Sequence, residues 1–301
     1  MIIVTGGLGF IGSNLIKRLN TEGRFDICII DDFKNGKLIE NINDLVLSDF
    51  IQIEQAEEYL KDNIKDIEVI FHLGAISDTM CWDGELIVRK NFSFSKMLAK
   101  YSKKYEIKLI YASSASVYGI QTVFEEVPQY ERPINMYAYS KLLFDQYLRN
   151  NGYLNDANLN IHGLRYFNVY GPREYLKGKM ASPIFKISNQ IINNGNATLF
   201  GKYDNYKAGE QKRDFVFIRD IVDVNIWLWK NQILSGVLNI GTGSSVSFNN
   251  VANSVLKALS AFGYSGHIQY IDFPEGLIGS YQSYTQAELS KLRQLGYDKR
   301  F

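Results

Sequence analysis

Over its first half the chain alternates apolar runs of strand length with amphipathic stretches of helix length. Ile2–Val4, Ile27–Ile30, Val69–His72 and Leu109–Ser113 are too uniformly apolar to be half-exposed strands. The polar-interrupted stretches between and after them predict helices over Ile11–Asn20, Glu54–Asn63, Glu85–Tyr105 and Tyr137–Asn150, and a further strand is expected at Ile161–Arg165. Strands apolar on both faces and separated by helices predict a doubly wound parallel α/β sheet. After about residue 168 Pro172, Pro183, Gly195, Gly201 and the polar stretch Lys202–Lys212 loosen this rhythm. Phe215–Ile218 and Val237–Gly241 read as strands that return to the core. The expected organisation is a nucleotide-binding domain at 1–168, with returning segments near 213–243. A smaller lobe at 169–301 would lie over the sheet's carboxyl edge, and Tyr203–Gln211 reads as a mobile loop.

Composition narrows the class. The 301 residues, 46% of them apolar, suffice for a large core, and the formal net charge of +1 gives no bias toward nucleic acid or membrane lipid. No apolar span is long enough for a membrane helix. A core strand in the first residues leaves no room for a signal peptide, so a cytoplasmic protein is expected. Cys28 and Cys81 both sit in apolar surroundings and are expected to be buried free thiols. His72, His162 and His267 are scattered without metal-ligand spacing, so no metal site is expected.

The stretch TGGLGFIGSNL carries the first chemistry. Gly7-Leu-Gly9-Phe-Ile-Gly12 has the G-x-G-x-x-G spacing, and Gly6, Gly9 and Gly12 recur every third residue between a strand and a helix. Glycines allow a ligand to touch the main chain, and the helix start presents unpaired N–H groups and a positive dipole end. A tight turn without a ligand is the alternative; the strand before and helix after favour a dinucleotide pyrophosphate. Asp31 and Asp32 end the second strand about twenty residues on, where an adenosine ribose meets a carboxylate. Two acids disfavour a 2′-phosphate, whereas Lys34 and Lys37 could neutralise one, so NAD and NADP both remain open. The small residues of His72-Leu73-Gly74-Ala75-Ile76-Ser77 would let cofactor lie close to backbone.

A catalytic set follows downstream. Ser113 and Ser114 end the fourth apolar run, and Tyr137 and Lys141 stand four apart, on one face of a helix. An ammonium beside a phenol lowers its pKa and makes it a general acid/base at neutral pH. Tyr139 lacks a lysine at the matching offset. In a chain with 20 tyrosines a Y-x-x-x-K match alone is weak, but the serines and the glycine turn supply its context.

With these motifs the chain resembles the extended short-chain dehydrogenases/reductases, Rossmann-fold enzymes acting on nucleotide sugars. Within that group it is similar to the ADP-L-glycero-D-manno-heptose 6-epimerases, nearly end to end. The likeness is carried by Phe71-His-Leu-Gly-Ala, Cys81-Trp-Asp-Gly84, Tyr166-Phe-Asn-Val-Tyr-Gly-Pro-Arg-Glu174, Lys212-Arg-Asp-Phe-Val216 and Gly279-Ser-Tyr281-Gln. The resemblance implies oxidation of C6 to a ketone, rotation of the ketone, and return of the hydride to its other face, with Tyr137 and Lys177 as the two proton-transfer groups. It implies NADP (or NAD) held by Gly6, Gly9, Phe10, Ile11, Gly12, Asp31, Asp32, Lys37, Leu73, Gly74, Ala75, Ile76, Ser77, Lys90, Asn91, Lys141, Val169 and Lys177. It also implies an ADP-heptose substrate met by Asn168, Lys179, Lys186, Phe200, Gly201, Lys202, Tyr203, Arg213 and Tyr281, and a homo-oligomer, a pentamer in the family. The chain departs from the family's pattern at Lys179, where a small residue is usual, at Lys186 in place of a histidine, and at Leu38 in place of a basic residue. A 4-epimerase of the same scaffold or an inactive nucleotide-binding regulator are the alternatives. A dehydratase would need an Asp-Glu pair where this chain reads Ser113-Ser114-Ala115.

Overall fold

The computed structural model describes residues 1–156 and 158–301. Its centre is a seven-stranded parallel sheet. The strands are β1 (Ile2–Thr5), β2 (Ile27–Asp31), β3 (Asp49–Gln52), β4 (Val69–His72), β5 (Lys108–Ser114), β6 (Ile161–Tyr166) and, from the far end of the chain, β11 (Gly236–Ile240). Their spatial order is β11-β6-β5-β4-β1-β2-β3. The order reverses between β1 and β4, and the crevice outside the carboxyl ends at such a point is where a parallel sheet takes its ligand.

Alternate residues of each strand feed two cores. Ile2 and Val4 pack with α1 (Phe10–Thr21) and α7 (Ile218–Lys230), through Leu15, Ile16, Leu19, Val224 and Leu228. Ile3 packs on the opposite face with α2 (Ala56–Asn63), α4 (Phe94–Tyr105) and α5 (Met136–Asn150), through Leu60, Leu98, Phe144 and Leu148. Burial on both faces explains why these strands read as continuous apolar runs. The expected helix Glu85–Tyr105 is present but interrupted: α3 (Gly84–Ile87) passes through a π-turn at Val88–Ser93 into α4. That turn carries Lys90 and Asn91, and π-bulges of this kind gather at functional sites.

The second half departs from the expected pattern in two places. Phe215–Phe217 does not enter the main sheet: as β10 it pairs in parallel with β7 (Asn168–Tyr170). Only the Val237 segment returns, as edge strand β11 beside β6. The remaining elements, β8 (Asn196–Phe200), β9 (Lys212–Arg213), β12 (Val246–Ser247), β13 (His267–Ile271), α6 (Pro183–Asn194), α8 (Phe248–Ser260) and α9 (Ser290–Gln294), lie outside the sheet. Ile187, Ile191, Leu199, Phe215 and Val251 form a small core of their own there. The loop expected to be mobile is tied down: Tyr203 and Tyr206 bridge each other, Gly209 N–H donates to Phe200 O at 2.9 Å, and Tyr203 stacks on Phe273 with ring centres 3.8 Å apart. Cys28 is buried, Cys81 is only half-buried, and both are free thiols.

Candidate active site

The glycines divide their work. Gly6 has φ +70°, and a Cβ on it would lie 2.5 Å from Gly74 Cα, so it permits the loops after β1 and β4 to touch. A Cβ on Gly12 would lie 2.3 Å from Gly6 O, so Gly12 closes α1 against its own turn. Gly9 is the N-cap of α1, with no side-chain cap and no acid in the first turn. It borders a cavity of about 430 Å³. The N–H groups that open α1 are therefore available to an anion in that space.

The cavity is walled by Gly6, Gly9, Phe10, Ile11, Gly12, Asp31, Leu73, Gly74, Ala75 and Ser77 on one side, and by Ser113, Ser114, Tyr137, Lys141, Asn168, Val169 and Lys177 on the other. Asp31 is fixed at its end: Oδ2 accepts from Leu8 N–H at 3.0 Å and Oδ1 from Asp32 N–H at 2.9 Å. Burial pushes this carboxyl above the usual range. Asp32, Lys34, Ile76 and Lys90 line an adjoining recess with Asp31. Lys34 lies 3.7 Å from Asp32 and Lys90 3.1 Å from Glu54. Lys37 is exposed and borders neither space. Asn91 is buried with its amide committed to both backbone groups of Ile76, at 2.8 and 3.0 Å, so it acts through the loop after β4.

Successive residues of a strand face opposite ways, which separates the two serines. Ser113 borders the cavity too, but its Oγ donates to the buried Asp145 at 2.9 Å, so its hydroxyl proton is held by that carboxylate. Ser114 borders the cavity, and its hydroxyl offsets part of the rise in Tyr137's pKa. Lys141 Nζ stands 6.0 Å from the centre of the Tyr137 ring and donates to Ala112 O at 2.7 Å. The expected depression of the phenol pKa is not produced by this pair alone. Burial holds Tyr137 above its ordinary value, and burial also pushes Lys141 down to about 8, opposed by Asp145. Tyr139 is exposed. Lys177 Nζ lies 5.3 Å from the centre of the Phe10 ring; burial depresses its pKa, with Lys186 adding to this and Glu174 opposing it. His72, buried and bonded to Thr5 and Ser95, is pushed down to about 3 and is a neutral core residue.

A second cavity of about 580 Å³ shares Asn168, Met180, Ala181 and Pro183 with the first. Lys179, Lys186, Phe200, Arg213 and Tyr281 line it as the sequence predicts, whereas Gly201, Lys202 and Tyr203 stand outside its lining. Tyr203 instead packs edge-on against Tyr281 and supports it from behind. Sequence reasoning missed Thr79, Ser116, Gln190 and Gln211, which carry no local signal because four separate segments bring them here, and gave no role to Gln282 in the quoted Gly279-Ser-Tyr281-Gln segment. Among the described residues that line this cavity there are three cations and no carboxylate. Arg213 is 6% exposed, lies 4.8 Å from the centre of the Tyr281 ring, and has no acidic partner among the described residues. A desolvated guanidinium whose one recorded donation is to Lys212 O, at 2.9 Å, facing a cavity whose described lining holds no carboxylate, suits an anion.

Among the described residues there is no group of three or more His, Cys, Asp or Glu able to hold a metal, and no helix is long and apolar enough to cross a membrane. The chain matches the profile of the NAD dependent epimerase/dehydratase family over residues 2–241. It is 48% identical over 307 aligned positions, spanning 100% of this chain and 93% of its relative, to an ADP-L-glycero-D-manno-heptose-6-epimerase of Alkalilimnicola ehrlichii. Among solved structures, the ADP-L-glycero-D-manno-heptose-6-epimerase of Helicobacter pylori superposes with a TM-score of 0.82 at 29% identity, covering 100% of this chain and 91% of that one. The UDP-glucose 4-epimerase of Thermus thermophilus, in complex with NAD, superposes with a TM-score of 0.76 at 25% identity, covering 98% and 93%. The glycine turn, the unpaired start of α1 and the Asp31 carboxylate fit the nicotinamide dinucleotide on which such enzymes depend. On sequence, fold and site alike, the chain belongs to the NAD dependent epimerase/dehydratase family.

Proposed function

We propose that this protein interconverts the D-glycero and L-glycero forms of ADP-β-D-manno-heptose by inverting C6. The observation that carries this reading is the pair of joined cavities. An acid-free, arginine-bearing space for a diphosphate opens at Asn168 onto a space where Tyr137 and Lys177 both stand. The 48% identity to a heptose epimerase selects the sugar. The dinucleotide is held by Gly9, the first turn of α1, Asp31 and Lys141. A nicotinamide bound there would supply reversible hydride acceptance at C6 and a positive charge in the cavity. Tyr137, with the Ser114 hydroxyl beside it, takes the proton of the C6 hydroxyl in one presentation of the sugar. Lys177, depressed by burial and so able to lose its proton, serves the other presentation.

Within this reading the cofactor is NAD rather than NADP. The fixed charges at the end of β2 are the carboxylates of Asp31 and Asp32. Lys34 lies on Asp32, Lys90 on Glu54, and Lys37 is exposed, so the cations at this end already have acidic partners or face solvent, and a 2′-phosphate would meet the Asp31 and Asp32 carboxylates. One experiment tests both points. Protein stripped of cofactor is incubated with ADP-D-glycero-β-D-manno-heptose plus NAD or NADP, and NMR reads the configuration at C6. A mixture of epimers forming at lower concentrations of NAD than of NADP is expected. No inversion with either cofactor would overturn the function, and inversion favoured by NADP would overturn the cofactor choice.

Arg213 is assigned the ADP diphosphate. Loss of one charge-assisted contact costs roughly 1.5–3 kcal/mol, or about ten- to a hundred-fold in affinity. Arg213→Ala is therefore expected to raise the KM for the nucleotide sugar by about that factor while leaving cofactor content untouched. An unchanged KM removes Arg213 from the site.

A further inference from the structure

Lys177 stands on a loop between β7 and α6, and one buried side chain closes that loop. Glu174 is 3% exposed. Its Oε1 accepts from Gly171 N–H and from the Ser182 hydroxyl, each at 3.0 Å, and its Oε2 accepts from Ser182 N–H at 2.7 Å. Both ends of segment 171–182 are thus tied to one carboxylate, and the segment's own turn bond, Lys177 N–H to Glu174 O at 2.9 Å, starts at the same residue. The outer side of the loop is anchored as well. Arg173, in the left-handed region at φ +72°, is bidentate to Asp44 at 2.7 and 2.8 Å, and Tyr175 Oη donates to Glu40 O at 3.1 Å. From α6, Lys186 Nζ donates to Lys179 O at 2.7 Å.

A buried carboxylate is costly unless its oxygens are satisfied, and here three donors satisfy it without an ion pair among the described residues. All three donors belong to the ends of the Lys177 loop, so the charge at Glu174 is spent on the shape of that loop.

We propose that Glu174 is a positioning residue for Lys177, holding the loop so that the ammonium lies over Phe10 inside the dinucleotide cavity. This rests on the two-group reading of the reaction, in which each C6 epimer gives its hydroxyl proton to a different residue.

The test mixes cofactor-loaded protein separately with each of the two C6 epimers and follows transient reduction of the cofactor by its absorbance. Lys177→Met should slow reduction by one epimer only. Glu174→Gln keeps the side-chain volume but leaves Ser182 N–H without an acceptor; it should slow reduction by that same epimer about tenfold or more and leave the other near the parental rate. Glu174→Asp, which keeps the charge but is a methylene short of spanning both ends, should show the same selectivity and serves if the glutamine variant does not fold. A structural defect would slow both epimers alike and lower cofactor retention. Equal slowing of both epimers, or of neither, by the Glu174 variants while Lys177→Met remains selective overturns the positioning role alone. If Lys177→Met shows no selectivity, the two-group reading falls and the role of Glu174 falls with it.

Discussion

Tyr137→Phe and Lys177→Met are each expected to slow epimerisation by about 10²–10⁴-fold while the protein still carries its cofactor. The requirement is stereochemical. Hydride must leave one epimer and return to the opposite face of the ketone, and with the nicotinamide fixed the sugar end has to turn. After turning, the oxygen lies in a new place, so a second proton-transfer group must wait there. Lys141 is unsuited to that work, since its ammonium is committed to Ala112 O and sits beside the Tyr137 ring. Lys177 reaches the same cavity from a different segment, the loop between β7 and α6, and burial has brought its pKa down. Steady-state rates of the two single variants, with cofactor content measured on the same samples, check the scheme. A Lys177→Met protein that epimerises near the parental rate would leave Tyr137 to serve both orientations.

Arg165→Met is expected to lower the stability of the fold by about 3–5 kcal/mol, with little of that loss arising from volume. Arg165 is fully buried on β6, and its Nε and Nη2 donate to Asp145 Oδ2 at 3.1 and 2.9 Å, with Nη2 also on Glu131. Methionine fills similar space but takes one cation away from two buried carboxylates. Arg149 still reaches Glu131 at 2.8 Å, so Asp145 is the group left with only the hydroxyls of Tyr111 and Ser113, both at 2.9 Å. Urea unfolding of parent and variant measures the loss, and one below about 1.5 kcal/mol, the ordinary cost of a volume-conserving core swap, would point to packing instead. Because Asp145 also holds Ser113 and lies one turn beyond Lys141 on α5, the same cluster fixes the helix that carries Tyr137 and Lys141.

What the sequence by itself determined is chemistry written within a few residues of chain. The glycine turn is legible because Gly6, Gly9 and Gly12 act through their own backbone and the helix that starts beside them. Tyr137 and Lys141 are legible because a helix places residues four apart on one face whatever it packs against. The buried parallel strands are legible because burial on both faces leaves no polar alternation. Tertiary structure alone decided the rest, and each case is a contact between distant segments. Edge strand β3 was missed because it pairs only with β2 and is half-exposed, so its short Asp-Phe-Ile-Gln run lacks the apolar signature of the inner strands. Neighbouring serines look alike in sequence, yet alternation along β5 commits the Ser113 hydroxyl to Asp145 and not that of Ser114. Phe215–Phe217 reads as a core strand, but β11 already fills the edge beside β6, and the segment pairs with β7 instead. Glu174 closes a block that carries the family resemblance, but its role is not written there; only the return of the chain from Gly171 to Ser182 gives its carboxylate two loop ends to hold. The absence of carboxylates around Arg213 is likewise a property of the cavity's wall, assembled from segments far apart in the chain, and no local pattern in the sequence records it.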